Sequence, residues 1–182
     1  GKTTTIRLLL GSIRPTHGIA RIFDMDVNSN RKDIHKRIGF LPGEFKTYEN
    51  LTSSDLLHFL GNLRGGVDWT YTQHLIDRLD LDITRTIKEL SKGNKQKVGL
   101  IQAFMHKPDL LLLDEPTSGL DPIAQREFYS IIREMANNGS AVFLSSHVIT
   151  EVERVADRVA ILKEGELILE ASISQLKAKV AK

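Results

Sequence analysis

The chain has 182 residues, 41% hydrophobic and 26% charged, with a formal net charge of +2 and no cysteine. That length suits one domain with room for a smaller subdomain, and the interspersed acids and bases leave no basic stripe to mark nucleic acid as the main partner. Disulfides, thiolate zinc sites and a cysteine nucleophile are excluded; no apolar run reaches the ~20 residues of a membrane-spanning helix, so the chain reads as cytoplasmic.

The chain opens on "GKTTTIRLLLG". Gly1, Lys2 and Thr3 match the end of G-x-x-x-x-G-K-[ST], the loop whose backbone N–H groups surround phosphates while its lysine adds a point charge and its hydroxyl reaches Mg²⁺. On its own the triplet is half a motif and is also consistent with an ordinary helix start. Thr3 to Leu10 is expected to form a short helix stopped by Gly11. "RPTHG" reads as a turn, "GIARIFDMDV" as a strand, and "IGFLP" as a buried strand stopped by Pro42.

From about Thr52 to Ile101 the pattern is mostly helical. Thr52 can cap a helix that places Leu56, Leu57, Leu60 and Leu63 on one face. "RGGVDWT" breaks it, with Trp69 as a packing anchor, and "YTQHLIDRLDL" is a second amphipathic helix. A further helix is expected from about Lys95 to Met105, with Ser91 and Gly93 presenting a hydroxyl and an open N–H just before it.

Strand and helix then alternate. "DLLLLDE" is a continuous apolar run ending in Asp114 and Glu115. In open α/β sheets ligands bind at the carboxyl ends of strands, so both acids should face a crevice. One carboxylate there suits Mg²⁺, and the next is placed to take a proton from water attacking a γ-phosphate. "DPIAQREFYSIIREMANNG" has proline at its first turn and glycine at its stop, as a helix requires. "SAVFLSSH" reads as another buried strand, "VITEVERVAD" as a helix, "RVAILKEGELILEA" as a hairpin around Glu164-Gly165, and "SISQLKAKVAK" as the start of a helix. Apolar strands alternating with helices imply an α/β fold: a parallel sheet covered on both faces, with a helical insertion.

"LLLLDEPTSGLDP" resembles the Walker B and D-loop segment of ATP-binding cassette (ABC) ATPases. "LSKGNKQK" resembles that family's signature motif L-S-G-G-Q, "SSH" its switch histidine, and "GKTTT" the end of its Walker A loop, all in the family's order. The resemblance implies a P-loop NTPase core of RecA-like parallel strands with an inserted α-helical signature subdomain. It also implies that the chain begins inside the Walker A loop, without the strands and the adenine-stacking aromatic that precede it in the family. Residues 1–42 and 102–170 would form the nucleotide-binding core, 43–101 the Q-loop and signature subdomain, and 171–182 the start of a C-terminal extension.

The implied cofactors are ATP and Mg²⁺. Gly1, Lys2, Thr3 and Thr4 would bind nucleotide, Thr3 and Asp114 the metal, and Glu115 and His147 would be catalytic. Ser91, Lys92, Gly93 and Asn94 would close over a partner's ATP in a head-to-tail dimer or paired cassette, with Asp121 as the D-loop acid. His17, His35, His58, His74 and His106 have no such context and read as surface or packing residues.

Two departures stand out. Lys92 and Asn94 replace a glycine and a glutamine of the signature, a pattern that resembles ATPase subunits of ABC-2-type exporters, including those of drug and antibiotic efflux. Gly43 stands where the Q-loop glutamine usually does, and Glu44 beside it is either a substitute metal ligand or a solvated loop residue. The function implied is an ATPase subunit driving export through a separate integral membrane permease, hence peripheral at the cytoplasmic face of the membrane, with exposed apolar positions near "FKTYENLT" as the contact. The alternative is a soluble ABC ATPase acting on ribosomes or nucleic acid. The interval from Lys2 to Ser91 is too short for a coiled-coil or zinc-bearing insertion, so no nucleic acid is expected.

Overall fold

The computed structural model describes residues 1–45 and 48–180. Gly1 caps helix α1 (Lys2–Leu9), which buries Ile6 and, at its C-cap, Leu10 before Gly11 turns the chain at φ +61°. The segment expected as one strand is instead a small antiparallel hairpin, β1 (Arg21–Ile22) against β2 (Met25–Asp26). Phe23 and Asp24 both adopt left-handed backbone angles, and this reverses the chain between them. A short helix α2 (Arg31–Lys36) follows, unanticipated because its polar run carries one apolar residue, the buried Ile34. Strand β3 (Ile38–Leu41) then runs into Pro42.

Thr52 caps α3 (Ser53–Leu63) by accepting the Asp55 N–H at 3.0 Å, and the helix buries Leu56 and Leu57. Leu63, the last residue of the helix, is exposed although it shares the apolar face, as are Arg64, Gly65 and Gly66, which follow the helix end. Asp68 caps α4 (Trp69–Arg78), which buries Leu75 and Ile76. Trp69 is the anchor between the two helices, stacked on His58 with ring centroids 4.0 Å apart. Helix α5 (Lys92–Phe104) starts three residues before the expected Lys95: Ser91 is its N-cap, so Gly93 and Asn94 lie inside the first turn rather than ahead of it. The Ser91 cap offsets the weak helix propensity of those two residues.

Strand β4 (Leu110–Asp114), helix α6 (Pro122–Asn137), strand β5 (Ala141–Ser145) and helix α7 (Ile149–Val155) follow as the alternation required. The hairpin β6 (Arg158–Lys163) and β7 (Glu166–Ser172) turns at Glu164 and Gly165, both at positive φ, the geometry of a two-residue turn matched to strand twist. Helix α8 (Ile173–Val180) closes the described chain. Among the described residues no helix is long and apolar enough to cross a membrane.

β3, β4 and β5 form a parallel sheet in that order. Side chains alternate across it. Leu111 and Leu113 join Leu41 in the larger hydrophobic cluster with α3, α4, α5 and α6. Leu112 joins Ile38 in the smaller cluster with α1, α2 and the β1–β2 hairpin, and Leu110 and Phe40 pack against it. The central strand is therefore covered on both faces. β5, expected to be fully buried, is an edge strand of this sheet: Val142 and Leu144 pack on the larger cluster, whereas Ala141 and Phe143 on the other face are exposed.

Candidate functional site

Because β3, β4 and β5 are parallel, their carboxyl ends meet at one edge, and Gly43, Asp114–Glu115 and Ser145–His147 leave the sheet there. The N-terminus of α1 reaches the same edge. Thr3 Oγ1 donates to Asp114 Oδ2 at 2.8 Å, and the buried Ser145 hydroxyl donates to Asp114 Oδ1 from the neighbouring strand. Asp114 is 3% exposed, so these two hydroxyls hold a carboxylate that has little water of its own.

Glu115 follows with φ at +49°, uncommon for a residue with a side chain. Its N–H donates to the Ser145 carbonyl at 3.1 Å. Lys2 Nζ donates to Glu115 Oε1 at 3.0 Å, and His147 Nδ1 lies 2.7 Å from Oε2. One carboxylate thus spans a cation from the first helix and an imidazole from the end of β5. The positive end of the α1 dipole adds to Lys2 in favouring an anion here. Of the residues expected at this site, Lys2, Thr3, Asp114, Glu115 and His147 are brought together; Gly1 is the cap of the same helix, and Thr4 lies exposed in its first turn.

Thr3 and Asp114 are hard oxygen donors in mutual contact, a fit for Mg²⁺, which takes one or two carboxylates and fills its shell with water and phosphate oxygens. Among the described residues no group of three or more His, Cys, Asp or Glu side chains could hold a metal by itself. The neighbour that approaches Asp114 from the Pro42 loop is Gly43: a Cβ built there would lie 3.3 Å from Asp114 Oδ2. Glu44, next along, is exposed.

Ser91 Oγ accepts the Asn94 N–H at 3.2 Å, and the first intrahelical bond of α5 runs from Lys95 to the Ser91 carbonyl. The Lys92 and Gly93 N–H groups therefore have no partner within the helix. None of the hydrogen bonds or ion pairs described joins Ser91, Lys92, Gly93 or Asn94 to the Lys2–Glu115 cluster, so these are two separate anion-ready places on one chain. Asp121 caps α6, accepting the Ile123 and Ala124 N–H groups at 2.9 Å each. Those N–H groups, Ala124 foremost, hold its carboxyl below the usual carboxylate range.

In the stretch expected to face a partner, Lys46 and Thr47 lie outside the described residues. Tyr48 is exposed, 61%, and meets the exposed Phe59 edge-on, whereas Phe45 packs against the larger cluster. His35 and His106 are packing residues, bonded to the carbonyls of Leu10 and Ile38. Sequence reasoning missed Ser145 as the partner of Asp114, Gly43 as its close neighbour, and Gln96, whose buried amide donates to the carbonyls of Glu115 and Pro116 at 3.2 and 3.0 Å.

Comparison with known proteins points to one family. The family model described as ABC transporter matches residues 1–118. The bacitracin transport ATP-binding protein BcrA of Enterococcus faecalis is 36% identical over 179 residues, which is 97% of this chain and 58% of that relative. The chain thus spans little more than half of that relative's length. A solved ATP-binding subunit of an ABC transporter superposes with a TM-score of 0.89 at 26% identity, covering 100% of this chain and 78% of that one. A dimeric ATP-binding cassette in a post-hydrolysis state, bound to ADP and Pi, shares the fold with a TM-score of 0.82 at 22% identity, over 95% of this chain and 81% of that one.

Proposed function

The chain belongs to the ABC transporter family, and from that premise we propose that it binds and hydrolyses ATP to drive export through a separate membrane permease. The observation that carries this reading is the meeting of Lys2 and Thr3 with Asp114, Glu115 and His147 at one edge of the sheet. Lys2 would exchange its bond to Glu115 for the phosphates of the nucleotide, and Thr3 and Asp114 would hold Mg²⁺. The metal, when bound, neutralises charge on the phosphate oxygens. Release of Lys2 leaves Glu115 free to accept the proton of the attacking water, and His147 positions that carboxylate from its far oxygen.

The Lys92 and Gly93 N–H groups, unpaired within the helix, would form the second phosphate contact with Ser91. Membership of the family implies that this turn serves a partner's ATP in a head-to-tail pair of cassettes, and its separation from Lys2 is consistent with that. The similarity to a bacitracin transport protein supports export of a drug or antibiotic. The exposed Tyr48–Phe59 pair is the candidate permease contact, which would place the chain at the inner face of the membrane.

The test is Glu115→Gln in the intact protein. Losing the proton acceptor should lower hydrolysis by about 10²–10⁴-fold with ATP binding retained. Hydrolysis at the wild-type rate would remove Glu115 from the mechanism. An intact protein that purifies with ribosomes or nucleic acid, and not with a polytopic membrane protein, would favour the other functional class.

A further inference from the structure

Glu115 is the residue on which the proposed chemistry turns, and its backbone is the unusual part of it. A side-chain-bearing residue at φ +49° is held there by its surroundings. Ser145, Ser118 and Gln96 all hold this stretch of backbone. The Ser145 carbonyl accepts the Glu115 N–H. The Glu115 carbonyl accepts the Ser118 N–H at 3.1 Å and the Gln96 amide at 3.2 Å, and Gln96 also donates to the Pro116 carbonyl at 3.0 Å. Gln96 is 4% exposed, and both its amide hydrogens are spent on these two carbonyls.

Gln96 belongs to α5, one turn after the Ser91 cap. The same helix touches the same segment at two further points. A Cβ on Gly93 would lie 2.5 Å from the Gly119 carbonyl oxygen, so the two backbones are in direct contact. The buried Lys97 ammonium lies 4.0 Å from Asp121 and donates to the Asp80 carbonyl at 3.2 Å. The first two turns of α5 are therefore fastened along residues 115–121, with Gln96 at the end nearest the carboxylate.

We infer that Gln96 is a positioning residue for Glu115: it fixes the left-handed peptide that aims the carboxylate between Lys2 and His147, and it ties that aim to the position of the Ser91–Gly93 turn. The inference rests on Glu115 being the proton acceptor. A side chain of similar length without donors takes the Gln96 bond from the Pro116 carbonyl, leaves the Glu115 carbonyl to the Ser118 N–H alone, and lets the Glu115 peptide relax. Displacement of a reacting group by about 1 Å is enough to cost on the order of 10²-fold in rate.

The experiment is a double-mutant cycle on the intact protein with its natural partner chains, read as kcat and KM for ATP well below each variant's unfolding temperature. Gln96→Met should lower kcat by about 10- to 100-fold and leave KM within about twofold, because nucleotide is held by Lys2 and Thr3. In the Glu115→Gln background the same change should alter the residual rate less than about twofold, since a badly aimed amide and a well aimed one are equally idle. Gln96→Asn keeps the donors on a shorter stem and serves if Gln96→Met fails to fold; it should fall in the same direction. Wild-type kcat in a folded Gln96 variant, or a loss that multiplies undiminished onto Glu115→Gln, overturns the inference. A Glu115→Gln protein that hydrolyses normally overturns instead the reading beneath it.

Discussion

Lys2 and Glu115 form a 3.0 Å ion pair that joins the first turn of α1 to the end of β4. The cation that would hold a nucleotide's phosphates and the carboxylate that would activate water are each other's partners in this structure. Phosphate and carboxylate compete for one ammonium group. Glu115→Gln removes the competitor and should tighten ATP binding several-fold in the intact protein, the scale set by a half-exposed pair of about 1 kcal/mol or less. Calorimetric titration that finds binding unchanged or weaker would show the pair to be of no consequence.

Ser145 donates to a carboxylate with almost no access to water. Ser145→Ala takes that donor from Asp114 and leaves Thr3 as its remaining hydroxyl partner. The expected cost is about 1–3 kcal/mol of folding stability, the penalty for a buried acceptor left short of a bond. The Mg²⁺ concentration at half-maximal hydrolysis should rise as well, because Asp114 is freer to rotate. Denaturant unfolding and a Mg²⁺ titration measure the two effects separately.

Gly93→Ala places a methyl group where the Gly119 backbone already is. Backbone atoms cannot swing away as a side chain can, so α5 or the 115–121 segment must shift. Overpacking of this kind costs about 1–3 kcal/mol. The unfolding midpoint should fall accordingly, whereas Lys92→Ala, one exposed residue earlier, should stay within about 0.5 kcal/mol of wild type.

His106 carries the clearest pH dependence. Its Nε2 meets the Ile38 carbonyl at 3.1 Å, while Nδ1 is buried without a partner. Burial, aided by the nearby Arg64 guanidinium, depresses its pKa from 6.5 to about 4. The unfolded chain binds this proton below about pH 6.5 and the folded chain only near pH 4. Its contribution to stability is therefore full above pH 6.5 and lost progressively as the pH falls toward 4. Urea midpoints taken between pH 7 and 4.5 should drop less steeply in His106→Gln, which keeps a donor for Ile38 and cannot take up a proton.

The parts of the fold that announce themselves are those whose physics is local. Four leucines closed by two acids can hardly be other than a buried strand end, and Pro122 and Gly139 bracket a helix without help from elsewhere. The β1–β2 hairpin was hidden because Phe23 and Asp24 turn the chain without the glycine or asparagine that usually marks positive φ. The start of α5 was placed late because Gly93 and Asn94 are weak helix formers. Ser145 and Gln96 were invisible for a different reason. Their partners lie on other elements, and only strand register and helix packing bring them to Asp114 and Glu115.

The strand that ends at Asp114 sends its leucines alternately into two separate cores. Leu112 belongs with the layer that carries Lys2, and Leu111 and Leu113 with the layer that carries Ser91. Trimming a methyl group from either layer would loosen the same carboxylate from opposite directions. An engineer could not regraft the helices of one layer while treating the other as a bystander, because both are threaded on a single strand.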